Sequence, residues 1–97
     1  MYLTVKYLPP TDRFTPRYKA GMYDEEGLKF YATVERDGAL SPADNAAAAV
    51  KKLIRRNGLN IDGIWGSFFL CKSPDGFSAS PEGELVDRKT YSMEDDA

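Results

Sequence analysis

Four cationic side chains are clustered near the middle of the chain, at Lys51, Lys52, Arg55 and Arg56. At this spacing they gather on one side of a helix. Such a cluster creates a positive field that attracts phosphates. Cations near the end of a helix also offset the helix dipole and solvate its outer side. The sequence therefore leaves two explanations open, nucleic-acid binding and a structural role.

Carboxylates form a second charged group, at the two ends of one predicted strand. Asp24, Glu25 and Glu26 precede this strand, and Glu35 and Asp37 lie at its far end. Carboxylates spaced along a rigid sheet can replace nucleic-acid phosphates in a basic groove of another protein, although turns are also acidic for solubility alone. We predict neither acid–base catalysis nor a magnesium site, because no carboxylate lies in an apolar segment and no ligand-spaced motif occurs.

Three tyrosines lie beside apolar residues in segments that we expect to be strands. Tyr2, Tyr23 and Tyr31 each neighbour a residue that should face the core. Because neighbouring residues of a strand point to opposite faces, these tyrosines should lie on the uncovered face of the sheet. There they can form a protein-binding patch or a platform for stacking bases. Cross-strand pairing of the rings would also explain them.

The cysteine and histidine counts exclude several kinds of chemistry. Cys71 is the one cysteine, and the chain has no histidine. This excludes a disulfide within this sequence, a zinc site built from cysteine and histidine, and every mechanism that needs imidazole. We expect Cys71 to be a small buried residue of a strand. We therefore predict a protein without enzymatic activity and without a cofactor.

The overall composition predicts one small domain. The chain has 97 residues, of which 42% are apolar, and its mean hydropathy is −0.48. No apolar run approaches the roughly 18–20 residues of a membrane-spanning helix, and the first residues do not resemble a signal peptide. We expect a cytoplasmic protein with a domain over residues 1–88. Residues 89–97 should form a mobile acidic tail.

The segment 41–58 has the signals of a complete helix. Ser41 is a good N-cap, Pro42 suits the first helical position, and Asp44 lies at the third. Gly58 provides the stop. Five apolar residues spaced three or four apart form one stripe: Ala46, Ala47, Val50, Leu53 and Ile54. A single helix of this kind needs a sheet on which to bury its stripe.

Segments before and after this helix have the patterns of strands. Residues 2–8, 17–24 and 28–35 alternate, and Leu28 and Phe30 of the third should face the core. Residues 64–72 are continuously apolar, as in a buried strand, and Trp65 should belong to the core. The prediction is an α+β fold in which one helix packs on one face of an antiparallel sheet of four to five strands. The predicted order is βββαβ, with or without a short final strand over residues 77–80.

The beginning of the chain resembles that of small proteins carried by phages, prophages and integrative elements. The resemblance rests on residues 6–12 (KYLPPTD) followed by residues 17–20 (RYKA), and on the alanine-rich helix and the aromatic strand that come later. In its size and lack of catalytic residues the chain also resembles type I-F anti-CRISPR inhibitors. The resemblance implies a stoichiometric inhibitor that blocks target DNA binding by a host surveillance complex, without cofactor or turnover.

Two functional hypotheses follow. In the first, an inhibitor in the cytoplasm of a bacterial host binds a CRISPR-Cas surveillance complex and makes no direct contact with nucleic acid. We expect it to be a monomer that acts as a DNA mimic through Asp24, Glu25, Glu26, Tyr31, Glu35 and Asp37. In the second, a small accessory protein binds nucleic acid through Lys51, Lys52, Arg55 and Arg56.

Overall fold

The computed structural model describes residues 2–58, 64–74, 76–81 and 90–93. Its first elements are β1 (Tyr2–Leu8), β2 (Arg17–Asp24), β3 (Gly27–Glu35) and α1 (Pro42–Arg56). A short 3₁₀ turn (Ile64–Gly66), β4 (Ser67–Ser73), β5 (Gly76–Pro81) and β6 (Thr90–Ser92) follow. One helix and one antiparallel sheet confirm the predicted α+β class, although the sheet has six strands.

The helix begins and ends at the predicted signals. The Ser41 hydroxyl accepts a hydrogen bond from the backbone N–H of Asp44 at 3.1 Å, which satisfies one of the free donors of the first turn. Gly58 follows the last turn with a φ of +60°, a conformation that is easiest for glycine. The predicted apolar stripe is buried, and Asn45 and Ala49 are buried with it.

The sheet has the strand order β3-β2-β1-β5-β4-β6, and every pairing is antiparallel. The helix packs across β3, β2 and β1 and reaches β5. The core therefore lies between α1 and the sheet face that it covers. Its fully buried large side chains include Leu3, Val5, Val50, Leu53, Ile54 and Phe68. The opposite face, which we call the open sheet face, carries the alternate residues of the same strands.

A bulge in β3 changes the orientation predicted for Leu28. Met22 of β2 pairs with Phe30, but Tyr23 pairs with Leu28, so that Lys29 is an extra residue. An insertion of one residue moves the side chains beyond it to the other face. Leu28 is therefore 43% exposed and lies on the open sheet face with Tyr23, and its predicted place in the core was wrong.

Asn45 joins the loop after β3 to the start of α1. It is buried, and its Oδ1 accepts a hydrogen bond from the backbone N–H of Asp37 at 2.8 Å. Its Nδ2 donates to the backbone oxygens of Asp37, Leu40 and Ser41. Buried backbone polar groups need hydrogen-bond partners, and this segment belongs to neither a helix nor a strand that could provide them. The Asn45 amide provides several of these partners.

The second half of the chain differs from the prediction in two places. The strand predicted over residues 64–72 begins only at Ser67, after the 3₁₀ turn that contains Trp65. Trp65 is half-buried and packs against the core. Residues 90–92, which the sequence analysis assigned to the tail, form β6 beside β4, where Tyr91 stacks on Phe68. Residues 89 and 94–97 of that tail lie outside the described residues.

No helix in the described part of the chain has both the length and the apolar composition that a membrane crossing requires.

Candidate binding surfaces

The register of the strands arranges the open sheet face in rows that cross the sheet. One row, which we call the aromatic row, begins at Leu28 on β3 and continues through Tyr23 on β2, Tyr2 on β1, Ser80 on β5 and Phe69 on β4. The next row consists of small side chains with Tyr31 at its β3 end: Gly21, Thr4, Ser78 and Cys71. A third row pairs Lys6 with Lys19. Neighbouring rows are about 6.6 Å apart, the length of two residues along a strand.

Tyr2 and Tyr23 are a stacked pair within the aromatic row. Their ring centroids are 5.3 Å apart, and the ring planes differ by 13°. This arrangement is typical of a cross-strand aromatic pair. Pairing does not bury the rings, however, because Tyr2 remains 60% exposed. The pair therefore holds an aromatic surface in place and leaves part of it to a ligand.

Gly21 makes room for this pair. A Cβ at this position would lie 3.0 Å from the Tyr23 ring and 3.0 Å from the Leu28 side chain. A glycine inside a strand often marks such a close approach. The Tyr23 ring therefore lies low over the backbone of β2, beside Tyr2.

We predict that Gly21→Ala weakens any ligand that stacks on the aromatic row by about threefold. The added methyl group must displace the Tyr23 ring, and an aromatic pair is worth about 0.5–1.5 kcal/mol beyond its buried area. Fluorescence anisotropy with a labelled ligand measures the change. Gly38→Ala is the matched control, because nothing lies within 4 Å of a Cβ at that position. An unchanged affinity in Gly21→Ala would show that the Tyr23 ring does not take part.

The cations of the open sheet face lie beside its aromatic side chains. The Lys19 ammonium is 5.1 Å from the centroid of the Tyr31 ring, and the Arg17 guanidinium carbon is 4.4 Å from that of Phe14. Both distances fit cation–π contacts. Tyr31 is 53% exposed and Lys6 is also exposed. Tyr31 and the cations Lys6 and Lys19 thus occupy one surface together.

The predicted carboxylate site is divided between the two ends of β3. Asp24, Glu25 and Glu26 lie at the turn before this strand, whereas Glu35 ends it and Asp37 follows. Nine residues of strand separate the two groups by about 27 Å. Tyr31 lies between them, on the same edge strand of the sheet. The structure therefore does not bring the six residues together, but it places them along one edge.

Lys29 compensates the turn carboxylates. Its ammonium lies 3.0 Å from a Glu26 carboxylate oxygen and 3.5 Å from an Asp24 oxygen. The hydrogen bond to Glu26 is the main cause that raises the pKa of Lys29, and the nearby charge of Asp24 adds to it. Part of the negative charge at this turn is therefore balanced within the protein.

The four helix cations lie together on the outer side of α1. Lys51, Lys52, Arg55 and Arg56 line one shallow depression with Ala48, and we call this surface the basic helix face. Lys52 donates to the backbone oxygen of Thr33 at 2.7 Å, and Arg55 donates to that of Met93 at 3.2 Å. The Lys52 bond connects α1 to β3, and the Arg55 bond connects α1 to the residue that follows β6. The basic helix face and the open sheet face point in opposite directions.

Within the described ranges, no group of three or more histidine, cysteine, aspartate or glutamate residues is arranged to hold a metal ion. Cys71, which we expected to be buried, is half-buried on the open sheet face, opposite Ser78.

Comparisons of the chain with protein-family models, with curated proteins and with solved structures give no match.

The exposed tyrosines were predictable from the sequence, but their grouping with cations was not. Lys6 and Lys19 are thirteen positions apart in the chain and become neighbours only through the pairing of β1 with β2. The alternation of apolar and polar residues in each strand predicted that Lys6 and Lys19 lie on the outer face of the sheet. No other feature of the sequence indicated that these two lysines belong to the site. Their grouping with Tyr31 depends on the register with β3 as well.

Proposed function

We propose that this chain is a noncatalytic protein that binds single-stranded nucleic acid on its open sheet face. The observation that carries the proposal is the Tyr2–Tyr23 stack, in which Tyr2 is exposed and Tyr23 is half-buried, two rows from the Lys6–Lys19 pair. Proteins that bind single strands combine aromatic rings, on which bases stack, with cations that follow the backbone. Bases in a duplex already stack on one another, so the aromatic row selects for unpaired bases.

The charges of the open sheet face also support a polyanionic ligand. Its described strand residues include three cationic side chains, those of Lys6, Arg17 and Lys19, and one acidic side chain, that of Glu35. Three phosphate contacts to a single strand give a slope of about −2 for log K against log salt. The affinity should therefore fall roughly 15-fold between 50 mM and 200 mM salt.

The test compares a labelled dT20 oligonucleotide with an abasic oligomer of the same length. Both have the same phosphates, but only dT20 can stack on the aromatic row. We expect dT20 to bind at least tenfold more tightly in an anisotropy titration, and rU20 shows whether ribose is also accepted. Equal binding of dT20 and the abasic oligomer, or no binding of either, would contradict the proposal.

The second candidate is the inhibitor of a type I-F surveillance complex in the bacterial cytoplasm. One observation favours it, because the carboxylates and Tyr31 lie along edge strand β3, the turn before it and the residues just after it. The charge density favours the first proposal. A duplex carries roughly 16 charges over about 27 Å, whereas this edge carries five carboxylates, of which Lys29 contacts two.

Charge reversal tests this candidate. If the edge mimics DNA, replacing all five carboxylates by lysine should abolish inhibition of target DNA binding by a reconstituted surveillance complex. For the double variant Glu25→Lys with Glu35→Lys, the melting temperature should stay within about 5 °C, because both side chains are exposed. Glu25→Lys with Glu35→Lys is the cleaner variant, since Asp24 and Asp37 accept turn hydrogen bonds.

Asp12→Lys serves as the control for charge, because Asp12 is exposed in the loop between β1 and β2 and is not one of the five carboxylates. Full inhibition by the fivefold variant would rule out the mimic. No inhibition by the natural sequence would rule out the candidate altogether.

A further inference from the structure

The basic helix face is a second charged surface that the proposed single-strand site does not use. Arg55 and Arg56 lie in the last turn of α1, where cations offset the helix dipole. Lys51 and Lys52 lie earlier, so the dipole does not explain them. The one acidic residue of the helix, Asp44, is in the first turn, where its carboxylate accepts a hydrogen bond from Tyr91.

The spacing of these cations is unfavourable for the helix itself. Lys51 and Arg55 are four residues apart, and so are Lys52 and Arg56. Residues at this spacing are neighbours on a helix, and like charges there repel each other. The residues one turn before the lysines are Ala47 and Ala48 rather than acids. An anionic ligand at Lys52 and Arg56 would relieve the repulsion within that pair.

The side chains of the basic helix face fit phosphates rather than bases. The depression is lined by cations and Ala48, without an aromatic ring for stacking. Along the helix axis, the cations of each pair are about 6 Å apart. Phosphates of one strand of a duplex repeat about every 3.4 Å along the axis, so 6 Å corresponds to roughly two phosphate steps. Binding here should therefore be independent of sequence.

We propose that the protein bridges two nucleic-acid segments, with a single strand on the open sheet face and the backbone of a duplex on the basic helix face. The inference rests on the proposed function. It follows from the placement of the two surfaces on opposite sides of the sheet, since α1 covers the face opposite the open sheet face and carries the four cations. A single short oligonucleotide bound to one surface leaves the other accessible.

A capture assay tests the bridge. Biotinylated dT20 on beads is loaded with the protein at 50 mM salt and washed, and a fluorescent 20-base-pair duplex of unrelated sequence is then added. We expect the loaded beads to capture the duplex. Lys52→Glu with Arg56→Glu should lower the captured duplex at least tenfold and leave the affinity for dT20 within about twofold.

The matched control is Arg36→Glu with Lys72→Glu. It changes the net charge by the same amount at two exposed residues that belong to neither surface, and it should still capture the duplex. Lys52→Gln with Arg56→Gln, which removes the charges without reversing them, serves if the glutamate variant does not fold.

Each other outcome has a definite meaning. If the protein binds dT20 but captures no duplex, the bridge is wrong and the single-strand site stands. If it binds no dT20, the proposed function and the bridge fail together. Equal loss of duplex in the control variant would also overturn the bridge, because net charge alone would then explain the capture.

Discussion

Replacing both Tyr2 and Tyr31 by alanine should weaken dT20 binding by about 30-fold at the least. Stacking of a base on an aromatic side chain is worth about 1–3 kcal/mol in alanine substitutions, and 1.4 kcal/mol corresponds to a factor of ten in affinity. Tyr2 and Tyr31 are 60% and 53% exposed, so their rings can meet a base without rearrangement of the sheet. Anisotropy titrations at constant salt measure the change.

Tyr7→Ala is the matched control for this double variant. Tyr7 belongs to the same strand as Tyr2 and is 41% exposed, but it points to the side covered by α1, where it contacts Tyr18. It should therefore leave dT20 binding within about twofold. If the double variant binds as the natural sequence does, or if Tyr7→Ala loses as much affinity, the exposed tyrosines of the open sheet face are not the site.

Asn45→Ala should lower the free energy of unfolding by about 2–4 kcal/mol. The substitution removes an amide that serves backbone groups of Asp37, Leu40 and Ser41. Each hydrogen bond contributes about 1 kcal/mol, and a partner left unsatisfied inside the protein adds to the loss. For a domain of this size the melting temperature should fall by roughly 10–25 °C. Urea unfolding with a constant m-value gives the free energy directly.

Asn57→Ala is the comparison for this effect. The Asn57 amide donates one hydrogen bond, to the backbone oxygen of Leu53 at the end of α1. Its removal should cost about 1 kcal/mol or less. A similar loss in both variants would mean that the loop between β3 and α1 does not depend on Asn45 as its hydrogen bonds indicate.

The helix was predictable because its signals are local. Ser41, Pro42 and Gly58 act within one turn of the helix ends, and the apolar stripe repeats along the helix. The strands β1 and β2 were also predictable from local sequence, because their alternating apolar residues are the ones that are buried. Leu28 was placed wrongly because alternation assumes an unbroken ladder, and the bulge at Lys29 depends on pairing with β2.

The candidate site was predictable only in part. The exposed tyrosines follow from alternation alone, but their association with Lys6 and Lys19 depends on the register of three strands. No local pattern predicts the role of Asn45, because its side chain bonds to the backbone of Asp37, eight residues earlier in the chain. β6 has three residues, too few for any periodicity to identify it.

The most direct test of the single-strand site is a titration of the ¹⁵N-labelled protein with dT20, followed by backbone amide NMR shifts. We expect the largest shifts at Tyr2, Thr4, Lys19 and Tyr31 of the open sheet face, with small shifts along α1 at equimolar dT20. Shifts confined to residues 48–56 would show that dT20 binds to the basic helix face instead. That result would contradict the proposed site. Absence of shifts at saturating dT20 would contradict single-strand binding itself.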